Sequence, residues 1–94
     1  MGLTFEWDEK KARQNLKKHG VSFEEAATVF GDPLSMTIDD PLHSTSDQER
    51  YVTIGQSYRR RTLVVVHCDR KESIRIISTR VATPRERKTY EEGE

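Results

Sequence analysis

The chain contains a single cysteine, Cys68. That excludes an internal disulfide and any metal site built from several cysteines. Long apolar runs are missing as well. No stretch approaches the roughly 20 apolar residues of a membrane span. "MGLTFEW" has neither the basic start nor the apolar core of a secretion signal, so the expected compartment is the cytoplasm. There is no glycine-rich phosphate loop and no nucleophile elbow around a serine. Net charge is absent too, since 16 Lys and Arg balance 16 Asp and Glu. Only the distribution of charge, not its total, can point to a polyanion.

What remains is periodic. Apolar residues make up 33% of the 94 positions and charged residues 34%. The length fits one domain, residues 1–94. "LTFEW" alternates Leu3, Phe5 and Trp7 as a short half-buried strand does. Asp8 can cap a helix over 9–19 that Gly20 ends. This helix is thinly apolar (Ala12, Leu16) and strongly basic, with Lys10, Lys11, Arg13, Lys17, Lys18 and His19. Ser22 and Glu25 form a capping-box pattern, with Val21 as staple. Phe23, Ala26, Ala27 and Phe30 then make a core-facing helical stripe.

"GDP" stops this second helix, and "LSMTIDD", "RYVTIGQS", "TLVVVHC" and "SIRIIST" read as four strands. Thr83, Pro84 and Glu86 start a last helix by cap, first-turn proline and capping box. The short connections between strands imply hairpins. The expected fold is α+β in the order β-α-α-β-β-β-β-α, an antiparallel sheet with helices packed on one face.

Basic residues gather where the last strand meets the last helix. In the simplest hairpin registers Cys68 faces Ser73 and Arg61 lies opposite Arg80. Val52, Ile54, Leu63, Val65, Ile74 and Ile76 then face the helices, and Glu49, Tyr51, Thr53, Val64, Val66, Arg75 and Ile77 lie on the other face. Two facing arginines repel, and an anion between them relieves this because guanidinium matches phosphate oxygens. The alternative is that Arg61 and Arg80 pair with helix carboxylates, and that Arg85, Arg87 and Lys88 form a solvated helix face.

Such a site suits cleavage of RNA without metal. A base takes the 2'-hydroxyl proton, a cation steadies the charge on phosphorus and an acid protonates the leaving oxygen. His19, His43, His67, Glu49 and Tyr90 are the candidate acids and bases. Each histidine also has a structural reading. His67 sits in an apolar strand, His19 suits the end of a helix dipole, and His43 lies in a polar loop. Asp39, Asp40, Asp47 and Glu49 show no ligand spacing, so neither metal nor cofactor is expected.

Three blocks, "FEWDEKKARQNLKKHGVSFEEAATVFGDP", "HSTSDQERYVTIGQS" and "LVVVHCDRKESIRIISTRVATPRERKTYEE", resemble the BrnT family of bacterial toxins from Phe5 to Glu92. The resemblance implies a RelE-like fold and a ribonuclease that arrests translation by cutting RNA. It also implies a cognate BrnA-like antitoxin with a ribbon-helix-helix part, through which alone operator DNA would be bound. The family's basic site positions fall on Arg61 and Arg80, with His19 and Glu49 in matching motifs. Those four are the catalytic candidates; Lys18, Arg59, Arg75 and Tyr90 are candidate substrate contacts. Arg60 stands where the family commonly has glycine and Thr79 where it commonly has alanine. Two rival readings are a non-catalytic toxin fold that binds an antitoxin and takes part in operon regulation, and a direct DNA-binding regulator.

Overall fold

The computed structural model describes residues 3–40, 44 and 49–93; the candidate base His43, and Asp47, lie outside them. The elements follow the expected order: β1 (Phe5–Glu6), α1 (Glu9–His19), α2 (Phe23–Thr28), a 3-10 turn (Val29–Gly31), β2 (Met36–Asp39), β3 (Tyr51–Gln56), β4 (Thr62–Asp69), β5 (Ile74–Val81) and α3 (Pro84–Glu92). The sheet order is β1-β5-β4-β3-β2. Four strands are antiparallel neighbours. The short β1 joins β5 in parallel, so the sheet is mixed at that edge.

Local chemistry fixes the helix ends. Asp8 accepts the Lys11 amide at 3.1 Å, and Gly20 ends α1 at φ 71°, a left-handed conformation that favours glycine. Ser22 caps α2 by accepting the Glu25 amide at 3.0 Å. α3 carries the complete reciprocal box between Thr83 and Glu86.

The core is Val21, Phe23, Ala26 and Val29 against Leu63, Val65 and Ile76, with Phe5, Trp7 and Phe30 packed around it. Gly55 lets the 3-10 turn approach β3: a Cβ there would sit 2.8 Å from the Val29 and Ser35 side chains.

The thin apolar face of α1 has a physical answer. Leu16 is half exposed and Asn15 is buried instead. β1 pairs with β5 only at residues 74 and 75. Farther along β5 the Asn15 amide takes the place of a strand. It donates to the Thr79 carbonyl at 2.9 Å and accepts the Thr79 amide at 3.1 Å, and it also donates to the Val21 carbonyl at 3.0 Å. Asn15→Ala leaves these backbone groups unpaired, so it should cost about 3 kcal/mol. A urea midpoint within error of wild type would remove the clamp from the account.

Two hairpin registers differ from the simplest ones, and the sheet faces change with them. Between β3 and β4 the turn closes through Arg60 N–H to the Ser57 carbonyl and Ser57 N–H to the Arg61 carbonyl, both 2.8 Å. Gln56 therefore faces Thr62, one residue off the simplest pairing. A one-residue slip turns every side chain over. Val52 and Ile54 leave the helix-covered side, and Tyr51 and Thr53 enter it. Arg60 takes φ 65° to make this turn, where a non-glycine residue is strained by roughly 1–2 kcal/mol.

Between β4 and β5, Cys68 faces Arg75, not Ser73, and an irregularity at Val66/His67 shifts the rest, so that Arg80 faces Val64. Arg61 and Arg80 are therefore not opposite one another. They project to opposite faces of the sheet.

Candidate active site

α1 and α2 cover one face of the sheet. The other carries a row of branched aliphatic side chains: Ile38, Val52, Ile54, Val64, Val66 and Ile77. These form the floor of a groove of about 680 Å³. α3 makes one wall with Arg85, Glu86 and Thr89. The rim is completed by His19 from the end of α1, and by Asp40, Arg50 and Arg80. Of the four catalytic candidates, the groove brings together His19 and Arg80.

Arg80 is held at rest by Glu86. The guanidinium donates twice, from Nη1 to Oε1 at 2.7 Å and from Nη2 to Oε2 at 2.9 Å. The same carboxylate accepts the Thr83 amide at 2.9 Å. Chiefly through Arg80, the Glu86 pKa falls to about 2. A carboxyl with a depressed folded pKa stabilises fully above its unfolded value, and the benefit fades as pH falls through the folded one. The stability gap between wild type and Glu86→Gln should therefore be widest near pH 6 and close between pH 4.5 and 2. Urea midpoints across that range check this; a gap that stays constant would show that Glu86 does not titrate in this way.

Arg50 shares the groove face with Val52 and Ile54. Among the described residues its Nε is buried without a hydrogen-bond partner, an arrangement that costs free energy unless a ligand completes it. Sequence reasoning passed over Arg50. Period-2 spacing from Val52 would have found it, given the right register. Arg85, read as a candidate for solvated helix surface, is the other addition to the groove.

The remaining candidates lie elsewhere. Arg61 donates from Nε to Glu25 Oε2 at 3.0 Å, from Nη2 to Glu25 Oε1, and from Nη2 to the Gly20 carbonyl at 3.2 Å. The Ser57 hydroxyl donates to the same carboxylate at 2.7 Å. Glu25 is 2% exposed, and Arg61 holds its carboxyl below the usual range. Its side chain thus turns inward and does not complete a capping box. Glu49 accepts the Tyr51 hydroxyl at 3.3 Å, outside the groove. Arg75 lies 3.6 Å from Glu6 at the β1 edge. Lys18 and Arg59 are exposed.

Tyr90 donates to Asp32 Oδ2 at 2.6 Å, which pushes its pKa up to about 12. The hydroxyl is thereby committed to tying α3 to the turn before β2. His67 is buried, between Thr53 Oγ1 at 2.7 Å and Asp69 Oδ1 at 3.0 Å, and Phe30 packs edge-on against it. Burial lowers its pKa against the pull of Asp69. This is the core histidine of the structural reading. Among the described residues no three His, Cys, Asp or Glu side chains gather as a metal site would require. No helix of the described residues is long and apolar enough to cross a membrane.

A small mixed sheet with helices packed on one face, its other face open and rimmed by basic side chains, is the RelE-like toxin architecture. The crystal structure of the Brucella abortus ribonuclease toxin BrnT matches it with a TM-score of 0.65, over 87% of this chain and 99% of that one, at 21% sequence identity. Residues 7–86 match the family model for the ribonuclease toxin BrnT of type II toxin-antitoxin systems, and the chain belongs to that family. No curated protein matches it.

Proposed function

We propose that the chain, folded as one toxin domain, is a metal-independent endoribonuclease that works in the cytoplasm, arrests translation by cutting RNA, and is neutralised by a BrnA-like antitoxin. The observation that carries this reading is the groove. Its aliphatic floor suits the face of an unstacked base, and Arg80, Arg50 and Arg85 are placed for phosphate oxygens.

Arg80 steadies the charge that develops on phosphorus. His19 acts as base or acid at the 2'-hydroxyl or the leaving oxygen. Glu49, which does not line the groove, supports Tyr51. Arg61 fixes α2 to the β3–β4 turn. Lys18 and Arg59 meet the flanking backbone, while Arg75 and Tyr90 hold structure. The antitoxin would cover the same groove with apolar and acidic side chains, and its ribbon-helix-helix part would carry all operator binding.

Induced expression tests this directly, with growth and RNA integrity followed together in wild type and Arg80→Ala. Arrest with RNA loss in wild type alone is the expected result. A second reading rests on the Glu86 carboxylate, which already neutralises Arg80: the fold could bind an antitoxin and take part in operon regulation without cutting RNA. Folded wild type that captures the antitoxin yet leaves RNA and growth intact would favour it.

A further inference from the structure

A second basic depression lies on the far side of α3 from the groove. It measures about 600 Å³ and is lined by Arg60, Arg61 and Arg87, with Glu91 as its one carboxylate among the described residues. Arg61 is already neutralised by Glu25, which leaves Arg60 and Arg87 as the cations available to a ligand. Val81 is the one aliphatic side chain lining it among the described residues. A surface so poor in apolar groups is unsuited to burying a protein segment and suited to a hydrophilic anion.

Two further observations concern the β3–β4 turn. Arg60 keeps a long charged side chain at φ 65°, where glycine would sit without strain; such an outlier invites a functional reading. Two residues before it, Tyr58 stands 70% exposed. Tyr58 shares the turn with Arg59, Arg60 and Arg61 but does not line the depression itself; an exposed aromatic ring and arginines on one surface are the combination that holds single-stranded nucleic acid, the ring stacking a base and the cations tracking the backbone.

We propose that the turn 57–61, with Arg87, is a binding platform for single-stranded RNA flanking the segment that is cut. This rests on the nuclease reading for its purpose but not for its test. Tyr58 stacks a base, and Arg60 and Arg87 each hold a phosphate. α3 stands between platform and groove, with Arg85 facing one and Arg87 the other.

The test measures binding of a 2'-O-methyl 12-nucleotide RNA, which has no free 2'-hydroxyl to attack, across a salt series. Tyr58→Ala should weaken binding about tenfold, and Tyr58→Phe should restore it. Arg60→Gly with Arg87→Gln should lower the slope of log affinity against log salt by about 1.4, since each phosphate contact on a single strand contributes about 0.7. Arg60→Gly alone should raise the melting temperature while weakening binding, which no misfolded variant can do.

Unchanged affinity and slope in all variants would overturn the platform. So would lost antitoxin capture at unchanged RNA affinity, which would mark the patch as a protein contact. Cleavage of an unmodified RNA by wild type is scored separately. A protein that binds through Tyr58 but never cuts sinks the nuclease reading and keeps the platform. One that cuts, with the platform variants indistinguishable from it in binding, does the reverse.

Discussion

Arg80→Ala will lower RNA cleavage by about 10²–10³-fold, the loss expected when a preorganised donor to transition-state charge is removed. Arg80 also holds Glu86, and Glu86 helps to cap α3, so a lost activity could reflect a displaced helix. Glu86→Gln separates the two roles. It removes the competing carboxylate, keeps the cation, and keeps an amide able to serve the cap. Cleavage by Glu86→Gln should equal or exceed wild type, whereas Arg80→Ala should fail even where its far-ultraviolet spectrum matches wild type. Single-turnover cleavage in chelator measures both. Equal losses in the two variants would make the pair a helix clasp and remove Arg80 from the chemistry.

Arg61→Ala will loosen α2 from the β3–β4 turn and destabilise the fold. Glu25 is buried and accepts from both Arg61 and Ser57. Removing the guanidinium leaves a buried carboxylate with one neutral donor. Breaking a buried pair from one side costs about 3–5 kcal/mol. The Arg61 side chain is 33% exposed and partly screened, so about 2–3 kcal/mol is the expected loss. For a chain of this size that is a large share of the total, and it lowers the melting temperature by about 10–20 °C. The double variant Arg61→Ala with Glu25→Gln should recover part of the loss, because no charge is then stranded. If Arg61→Ala melts with wild type yet cuts no RNA, Arg61 belongs to the chemistry and the anchoring account fails.

Part of this architecture is legible in the sequence and part is hidden. Caps are local. Asp8, Ser22 and Thr83 each act on an amide three residues away, so helix starts can be read from short strings. The element order and the core positions Phe23, Ala26, Leu63, Val65 and Ile76 follow from periodicity in the same way. Register is not local. It depends on one extra residue in the turn at 57–61, a two-residue shift where Cys68 meets Arg75, and one irregularity at Val66/His67, and none of these leaves an apolar signature.

From these departures follow the faces of β3, the separation of Arg61 from Arg80, and the place of Arg50 in the groove. His19 and Arg80 meet there because the ends of α1 and β5 converge, which their motifs mark. Asn15 was illegible for another reason. A polar residue in a basic helix reads as surface until the unpaired edge of β5 is known.

The position of β5 in the sheet also bears on how the chain comes together as it is made. β5 is made after the other four strands, yet it lies between β1 and β4 and receives Asn15 from α1. Until residues 74–81 have left the ribosome, β1 has no strand to join, α1 has no edge to clamp, and Ile76 is missing from the core. The nascent molecule therefore has two short helices, marginal on their own, and the strands β2, β3 and β4 with nothing to close them. Long-range pairing of this kind raises the entropic barrier to folding. A sheet so built stays open until β5 is made and closes only then.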